Sequence, residues 1–374
     1  MPIKELYGLV VRPDGSEFRG RVSFSDRVEG IEATAQAGDD YVVPGFIDLQ
    51  VNGSHGLDVM AGSAEEIRAI ARHLAREGTT AFLPTAITSP IERIIRVHGA
   101  IADAIAAGTA GSSTPAAAII GMHLEGPFIS PARLGAHPKF NLEPRGEQFE
   151  RILALERLRL ITLAPELDGA LAAIQQLARR GVAVSIGHSD ATLEQARAGI
   201  AAGARMFTHL FNAMRRLHHR EPGVAAAAMI SSEALAAVIP DGVHVHPEML
   251  RLVYRSRGAA GMLITTDKVA VAGAGPDFAP AVGDERMGIA DGAARLSDGT
   301  LAGSIISMLD GVRLMVESVG VPIGEAAMMA TINPALILGL VDRGAISIGA
   351  RADLIVLSPD LKLKAVFISG HELA

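Results

Sequence analysis

The segment VAVSIGHSDATLEQARAGIAAGARMFTHLFN, residues 182–212, gives the clearest indication of the fold. The apolar run at 182–186 predicts a buried strand, and the segment at 192–202 predicts a helix. A second apolar run at 205–208 predicts the next strand. Continuous apolar strands separated by helices are typical of a parallel sheet, because the crossover helices cover both of its faces.

The same alternation runs through most of the chain. Apolar strand segments separated by helical segments occur at 45–51, 80–84, 118–124, 158–163, 182–186, 205–208, 236–239 and 262–265. Eight such units predict a (β/α)8 barrel of the TIM type rather than a doubly wound sheet. We assign the barrel domain to residues 44–343.

The two ends of the chain have a different pattern. Residues 3–11 and 353–369 are strand-like and are bounded by Pro-Asp-Gly and Ser-Pro-Asp turns. We expect residues 1–43 and 344–374 to form one small β domain beside the barrel. The segment at 269–298 is rich in Gly, Ala, Pro and Asp, which predicts a long loop or hairpin.

Composition excludes several classes of protein. The chain has 374 residues, a formal net charge of -7 and 4% aromatic residues, which argues against nucleic-acid binding. With zero cysteines, any metal must be held by His nitrogen and carboxylate oxygen. The first residues lack the pattern of a signal peptide, and the longest uncharged stretch is broken by Gly, Ser, Thr and Pro. We therefore expect a cytoplasmic protein that does not enter a membrane.

Side chains suited to metal binding or proton transfer follow several predicted strands. Glu125 ends the third strand, His188 and His209 follow the fifth and sixth, and Asp267 follows the eighth. In such a barrel the carboxyl ends of the strands meet at one face, where the chemistry takes place. One carboxylate and two imidazoles can hold a divalent metal and lower the pKa of a bound water to about 7. With Asp267 as the acid–base, the pattern predicts metal-assisted hydrolysis of an amide.

The motifs that carry these residues resemble those of the N-acetylglucosamine-6-phosphate deacetylases. The resemblance extends from about residue 40 to the end of the chain, and HLEGPF together with THLFNAM is its most specific part. In chain order the motifs are PGFID at 44–48, HLEGPF at 123–128, GAH at 135–137, GHSDA at 187–191, THLFNAM at 208–214, REPG at 220–223, DGVH at 241–244, TD at 266–267, LAGS at 301–304 and NPA at 333–335.

The resemblance implies a fold and a reaction. That family belongs to the amidohydrolase superfamily, with a (β/α)8 barrel and a small β-sandwich built from both chain ends. It removes acetate from N-acetylglucosamine 6-phosphate and leaves glucosamine 6-phosphate. By resemblance, Glu125, His188 and His209 are ligands of one divalent metal, Zn or Fe(II). Asp267 is the catalytic acid–base, and His137 polarises or orients the acetyl carbonyl.

The resemblance also implies how the small-molecule substrate, a sugar phosphate, is held. In that family the phosphate contacts lie partly across a dimer interface, which implies a homodimer here. The residues that correspond to sugar-phosphate contacts or line the sugar pocket are Ala136, His137, Asn212, Ala213, Arg220, His244, Leu301, Ala302 and Gly303.

The chain departs from its relatives at three places. Many amidohydrolases carry His-x-His after the first strand and bind two metals, whereas this chain has Gln50-Val51-Asn52. Amides are poor ligands beside imidazole, so we predict one metal, as in the Gln-x-Asn branch of the family. Lys268 follows Asp267 where the family usually has Ala, which places a positive charge beside the catalytic carboxylate. Residues 215–219 carry unusual charge before the Arg220 motif.

Other interpretations remain open from the sequence. Glu125 could cap a helix or pair with an Arg, Asp267 could form a plain ion pair with Lys268, and Arg220 could only cap a loop. A related amidohydrolase could act on N-acetylgalactosamine 6-phosphate or on a cyclic amide. A barrel without activity, kept as a binding subunit, is a third class.

Overall fold

The computed structural model describes residues 2–108, 115–275, 278, 280–282 and 285–373. The strands are β1 Lys4–Val11, β2 Glu17–Phe24, β3 Val28–Ala33, β4 Tyr41–Pro44, β5 Phe46–Val51, β6 Gly53–Ser54, β7 Leu57–Asp58, β8 Thr79–Ile87, β9 Ala118–Ile119, β10 Met122–Glu125, β11 Leu158–Leu163, β12 Ala183–Ile186, β13 Met206–Phe207, β14 Leu235–Val238, β15 Met262–Ile264, β16 Ala281–Val282, β17 Glu285–Ala290, β18 Ala293–Leu296, β19 Leu354–Leu357, β20 Leu363–Ile368 and β21 His371–Glu372.

Helices alternate with the middle strands. They are α1 Ala64–Arg76, α2 Ile91–Ala107, α3 Gly146–Leu153, α4 Ala170–Arg179, α5 Leu193–Ala202, α6 Gly223–Ile230, α7 Pro247–Arg257, α8 Met308–Leu314, α9 Ile323–Ala330 and α10 Ile332–Ile337, with a 3-10 turn at Ala259–Gly261 and a π turn at Met315–Val319. Three of these helices begin with a capping box, at Ser63 with Glu66, at Thr192 with Gln195 and at Ser307 with Asp310. Such caps satisfy backbone N–H groups that the first helical turn leaves unpaired. Within the described residues, no helix is long and apolar enough to cross a membrane.

Eight parallel strands among the described residues form the barrel. Their order in the sheet is β5, β8, β10, β11, β12, β13, β14 and β15, so neighbours in the sheet follow one another along the chain, apart from the short strands β6, β7 and β9. The first and last strands meet at residue 268, whose carbonyl accepts the backbone N–H groups of Asn52 at 2.7 Å and Gly53 at 3.1 Å. Each of the eight predicted segments overlaps a strand of this sheet. The closure and this overlap together confirm the predicted (β/α)8 barrel.

The barrel strands are buried on both faces. Every residue of β5 is buried, as are the first eight residues of β8. Inward side chains, among them Ile47 on β5, Leu83 on β8 and Leu160 on β11, pack into a core inside the barrel. The opposite faces of the strands pack against the helices in a larger cluster. Apolar side chains on both faces of the strands explain why the sequence shows continuous apolar runs rather than alternation.

Both ends of the chain contribute to one sheet beside the barrel. Seven of the described strands form it in the order β21, β20, β19, β4, β1, β2, β3. Strand β4 lies between β19, which is antiparallel to it, and β1, which is parallel. The prediction that both termini build one β domain is confirmed, whereas its exact boundaries at residues 43 and 344 stay a prediction.

The segment after the eighth strand lies over the barrel mouth. β17 and β18 form an antiparallel hairpin, which is the element predicted for residues 269–298. Met287 and Ala294 of this hairpin pack on Val269 and Val271. Residues 276, 277, 279, 283 and 284 of the predicted segment lie outside the described residues.

Candidate active site

The side chains predicted at the strand ends meet at one point. The Glu125 Oε1 atom lies 3.2 Å from His188 Nε2 and 2.9 Å from His209 Nε2, and the two Nε2 atoms are 3.1 Å apart. All three residues are buried. The His137 Nε2 atom lies 3.4 Å from the other oxygen of Glu125. Four side chains from distant parts of the chain therefore surround one small volume at the carboxyl face of the barrel.

Strained backbone aims these side chains inward. His188, His209 and Asp267 have φ angles of 48°, 28° and 50°, in the left-handed region that residues with a Cβ rarely adopt. Such conformations cost of the order of 1–3 kcal/mol each and persist where the surrounding structure enforces them. Gly187 is required before His188, because a Cβ there would lie 2.7 Å from side-chain atoms of Thr162 and Thr208. The strand ends thus turn sharply toward the barrel axis.

The two metal-type histidines differ in how their second ring nitrogen is held. His188 Nδ1 donates to the backbone oxygen of Arg133 at 3.0 Å, which leaves the Nε2 lone pair facing Glu125. His209 Nδ1 is buried and has no hydrogen-bond partner among the described residues. The hydrogen bond to Arg133 therefore fixes the orientation of the His188 ring, whereas the orientation of the His209 ring depends on the contacts of its Nε2 atom.

Electrostatics keep Glu125 and His188 in their metal-binding forms. Burial would lower the pKa of His209, but its contact with Glu125 raises that pKa overall. Burial would raise the pKa of Glu125, but contacts with the imidazoles of His137, His188 and His209 hold that pKa well below its usual range. Burial, aided by the proximity of His137, lowers the pKa of His188 to about 4. At neutral pH the carboxylate is therefore ionised and the imidazole of His188 is uncharged, which are the forms in which both bind a cation.

Asp267 has the opposite electrostatics. Burial, together with repulsion by Glu125, raises the pKa of Asp267 to about 6. Its Oδ1 atom accepts hydrogen bonds from Asn52 Nδ2 at 2.7 Å and Gln50 Nε2 at 3.0 Å. Gln50 Nε2 also lies 3.0 Å from Glu125 Oε1. A carboxyl group with a pKa near neutrality can exchange a proton during a reaction, and this one is oriented by two amides.

The Gln50-Val51-Asn52 segment therefore has a role that the sequence alone did not reveal. The side-chain amides of Gln50 and Asn52 donate hydrogen bonds to the carboxylates of Glu125 and Asp267. A site for two metals would need metal ligands at these positions instead. The side-chain oxygens of Gln50 and Asn52 are buried and have no hydrogen-bond partner among the described residues. Sequence reasoning identified this segment only as a departure from His-x-His, because spacing cannot tell which atom of an amide faces inward.

One cleft of about 830 Å³ contains the site. His137 reaches it from the loop after β10, and its Nδ1 atom lies 2.9 Å from Thr88 Oγ1. The sequence-predicted residues that line the cleft are Glu125, Ala136, His137, His188, His209, Asn212, Ala213, His244, Asp267, Leu301, Ala302 and Gly303.

His244 enters this cleft with a buried carboxylate behind it. Its Nδ1 atom lies 2.6 Å from Asp241 Oδ2, and Asp241 also accepts the backbone N–H groups of Val243 and His244. Burial would raise the pKa of Asp241, but the hydrogen bond from His244 lowers it overall. Asp241 thus orients the imidazole.

Arg220 does not join this group. It is exposed, it is not among the residues that line the cleft of its own chain, and its Nη1 atom lies 2.9 Å from His219 Nε2. Residues 216–221 are all exposed, and the side chain of Leu217 among them is apolar.

Five arginines that the motifs did not mark as contacts do line the cleft: Arg93, Arg96, Arg133, Arg216 and Arg295. Arg133 lies between the HLEGPF and GAH motifs and pairs with Asp190 at 2.7 Å. Arg216 belongs to the charged segment that the sequence analysis noted before Arg220. The only sequence feature that could have identified Arg133 and Arg216 as lining residues is their position next to a motif.

The expectation for Lys268 is wrong. Its Nζ atom lies 2.7 and 2.5 Å from the two carboxylate oxygens of Glu77, at the end of α1, and not beside the carboxylate of Asp267. The positive φ angle of Asp267 turns the backbone at this point, and Lys268 points to the end of α1 while Asp267 lines the cleft. A plain ion pair between Asp267 and Lys268 is excluded by the same geometry.

Comparison with known proteins agrees with the geometry. The model of the amidohydrolase family matches residues 41–373. The N-acetylglucosamine-6-phosphate deacetylase of Vibrio furnissii is 35% identical over 334 residues, which cover 88% of this chain and 82% of that protein. The N-acetylgalactosamine-6-phosphate deacetylase of Escherichia coli O157:H7 is 37% identical over 337 residues, covering 89% and 87%.

A solved structure is similar over the whole chain. It is a mutant N-acetyl-D-glucosamine-6-phosphate deacetylase from Mycobacterium smegmatis in complex with N-acetyl-D-glucosamine-6-phosphate. It superposes with a TM-score of 0.92 at 34% identity and covers 100% of this chain and 99% of that one.

Proposed function

This chain belongs to the amidohydrolase family, and we propose that it hydrolyses the N-acetyl amide of N-acetylglucosamine 6-phosphate to glucosamine 6-phosphate and acetate. The observation that carries the proposal is the convergence of Glu125, His188 and His209 beside Asp267 in one cleft. A carboxylate and two imidazoles at a barrel mouth suit a metal-assisted hydrolysis. The similarity to deacetylases over most of the chain supports the choice of substrate.

The three donors fit a divalent metal. A tetrahedral ion about 2.0–2.1 Å from each donor separates the donors by roughly 3.3 Å. The observed separations of 2.9, 3.1 and 3.2 Å are close to that value. An ion there would also engage His209, whose other ring nitrogen is unpartnered among the described residues. We assign Glu125, His188 and His209 as ligands of one ion, with Zn and Fe(II) both suited to such a set.

Asp267 would move the proton. When bound, the ion activates a water molecule and polarises the acetyl carbonyl. Both amides donate to Asp267 Oδ1, so Oδ2 is the oxygen positioned to accept the water proton. The carboxyl group then gives that proton to the departing amine nitrogen and returns to its ionised form. His137, held by Thr88, would donate a hydrogen bond to the acetyl oxygen as negative charge develops there.

The sugar would lie between His244 and the 301–303 segment, and its phosphate would meet Arg220. Because Arg220 is exposed and absent from the lining of its own cleft, we place it at the cleft of a second subunit in a homodimer. We further propose that the enzyme acts in the cytoplasm, where its substrate would be found, because a doubly charged ester does not cross a bilayer unaided.

Acetate release from purified 6-phospho sugars tests the reaction. We expect turnover of N-acetylglucosamine 6-phosphate by protein that contains one divalent metal per chain, and loss of turnover after chelation. N-acetylgalactosamine 6-phosphate, which differs in the orientation of one hydroxyl group, is the competing substrate in the same assay. Full activity in metal-free protein would contradict the assignment of the ligands.

Mixing two impaired variants tests the shared site. In a mixed dimer of D267N and R220A chains, the R220A subunit keeps its own Asp267 and receives Arg220 from its partner. About a quarter of wild-type activity should return on random mixing, since half of the dimers are mixed and each has one intact site. No recovery, with mixed dimers demonstrated by differential tagging, would mean that Arg220 acts within its own chain.

A further inference from the structure

The Lys268–Glu77 ion pair lies outside the cleft and has no part in the reaction proposed above. Lys268 is 2% exposed, and its Nζ atom contacts both oxygens of the Glu77 carboxylate. Glu77 follows the last turn of α1, where a helix presents unpaired carbonyl groups. A buried lysine without a partner would be costly, so this carboxylate is what allows Lys268 to be buried.

The backbone of Lys268 closes the barrel. Its carbonyl accepts the N–H groups of Asn52 and Gly53, and residue 268 bridges residues 51 and 304 in parallel. Asn52 in turn donates its side-chain amide to Asp267 Oδ1 at 2.7 Å. The residue that anchors the end of the eighth strand is therefore connected to Asp267 through the chain and also through Asn52.

Asp267 needs such anchoring because its φ angle of 50° is strained. On its amino side, Thr266 is held by Asp48, which accepts both its backbone N–H group and its hydroxyl. On its carboxyl side, Lys268 is held by Glu77. The strained residue thus lies between two neighbours whose side chains are fixed to other elements.

We propose that the Lys268–Glu77 ion pair is a positioning pair that holds Asp267 in the orientation needed for proton transfer. The inference rests on the proposed function, since it assigns the pair to the acid–base step. The pair acts on the orientation of Asp267 and not on the substrate itself, because Lys268 and Glu77 are not among the residues that line the cleft. Substrate binding should then be affected much less than the rate of the chemical step.

A double-mutant cycle with K268M, E77Q and the combined variant tests the pair. Each single variant should lower kcat about tenfold and change KM less than twofold, with one metal retained per chain. The combined variant should lose no more than either single variant, because both remove the same anchor. The matched control is K364M, which removes the exposed ion pair with Asp40 and should leave kcat unchanged.

Hydrogen exchange gives a second measurement that does not depend on activity. The backbone N–H groups of Asn52 and Gly53 should exchange faster in both single variants, because their acceptor is the carbonyl of Lys268. E77Q keeps the test usable if K268M fails to fold, since Glu77 is partly exposed.

Two outcomes would overturn the inference: additive losses of kcat, or unchanged kcat and unchanged exchange in E77Q. A wild-type enzyme that releases no acetate would instead overturn the proposed function. In that case unchanged exchange at Asn52 and Gly53 would reject the anchoring as well.

Discussion

The buried strand ends and the exposed loop at 216–221 are both assigned to one reaction, yet they are built differently. Glu125, His188 and His209 are held within 3.2 Å of one another by strands that the barrel fixes on both sides. Arg220 lies on a loop that is open to solvent, and its guanidinium donates a hydrogen bond to the neighbouring His219. The groups proposed to break the amide thus lie within one chain, whereas the proposed phosphate contact lies on an exposed surface.

The largest effect is expected at the buried end of this comparison. D267N should lower kcat about 10³-fold, because an amide cannot take and return the water proton. Metal content should stay at one ion per chain, since Asp267 is not among the assigned ligands. Atomic absorption together with an acetate-release assay would check both values. Turnover within tenfold of wild type would remove Asp267 from the proton-transfer role.

At the exposed end, R220A should lower kcat/KM for the phosphorylated sugar about 10–100-fold, the value of a hydrogen bond to a charged group. Hydrolysis of the unphosphorylated sugar should change much less. The matched variant is R216A, because Arg216 lines the cleft of its own chain. A larger loss in R216A than in R220A would move the phosphate contact to Arg216 and remove the need for a second subunit.

The pH profile separates the two regions as well. Asp267 must be ionised to accept a proton, and burial raises its pKa to about 6. Below that pH the group is protonated, so kcat/KM should fall tenfold per unit as the pH decreases, and it should level off above about pH 7. The R220A variant should keep this acidic limb, because the substitution removes a proposed contact to the phosphate and leaves Asp267 unchanged. An acidic limb near pH 4 would mean that burial does not raise the pKa of Asp267 in solution.

The smallest effect is expected outside both regions. S63A removes the capping box of α1 and should lower the free energy of unfolding by about 1 kcal/mol. Kinetic constants should remain at the wild-type values, because Ser63 lies away from the cleft lining. Chemical denaturation gives the first value, and the acetate assay gives the second. A change in kcat would show that the outer helices influence the site more than this comparison allows.

The sequence predicts the buried region well for a physical reason. In a parallel barrel all strands end at the same face, so residues that follow apolar runs, such as Glu125 and His209, must come close together. Predicting their convergence required only the spacing of the apolar runs and the topology of a parallel barrel. The eight strands were predictable on the same basis, because full burial produces continuous apolar runs.

The remaining features depend on local geometry that no period encodes. Lys268 follows a residue with a positive φ angle, so its direction toward Glu77 was visible only in three dimensions. The hydrogen bonds of Gln50 depend on which atom of its amide faces the carboxylates. The position of Arg220 depends on the path of an exposed loop, which hydrophobic patterning does not constrain.

The sheet beside the barrel has a consequence for how the chain is made. Strand β4, near the start, needs β19, near the end, as its partner. While the polypeptide emerges from the ribosome, β4 has an open edge until nearly the whole chain has been synthesised. An open edge invites pairing with other molecules, so incomplete translation products that stop before residue 354 should be prone to aggregate.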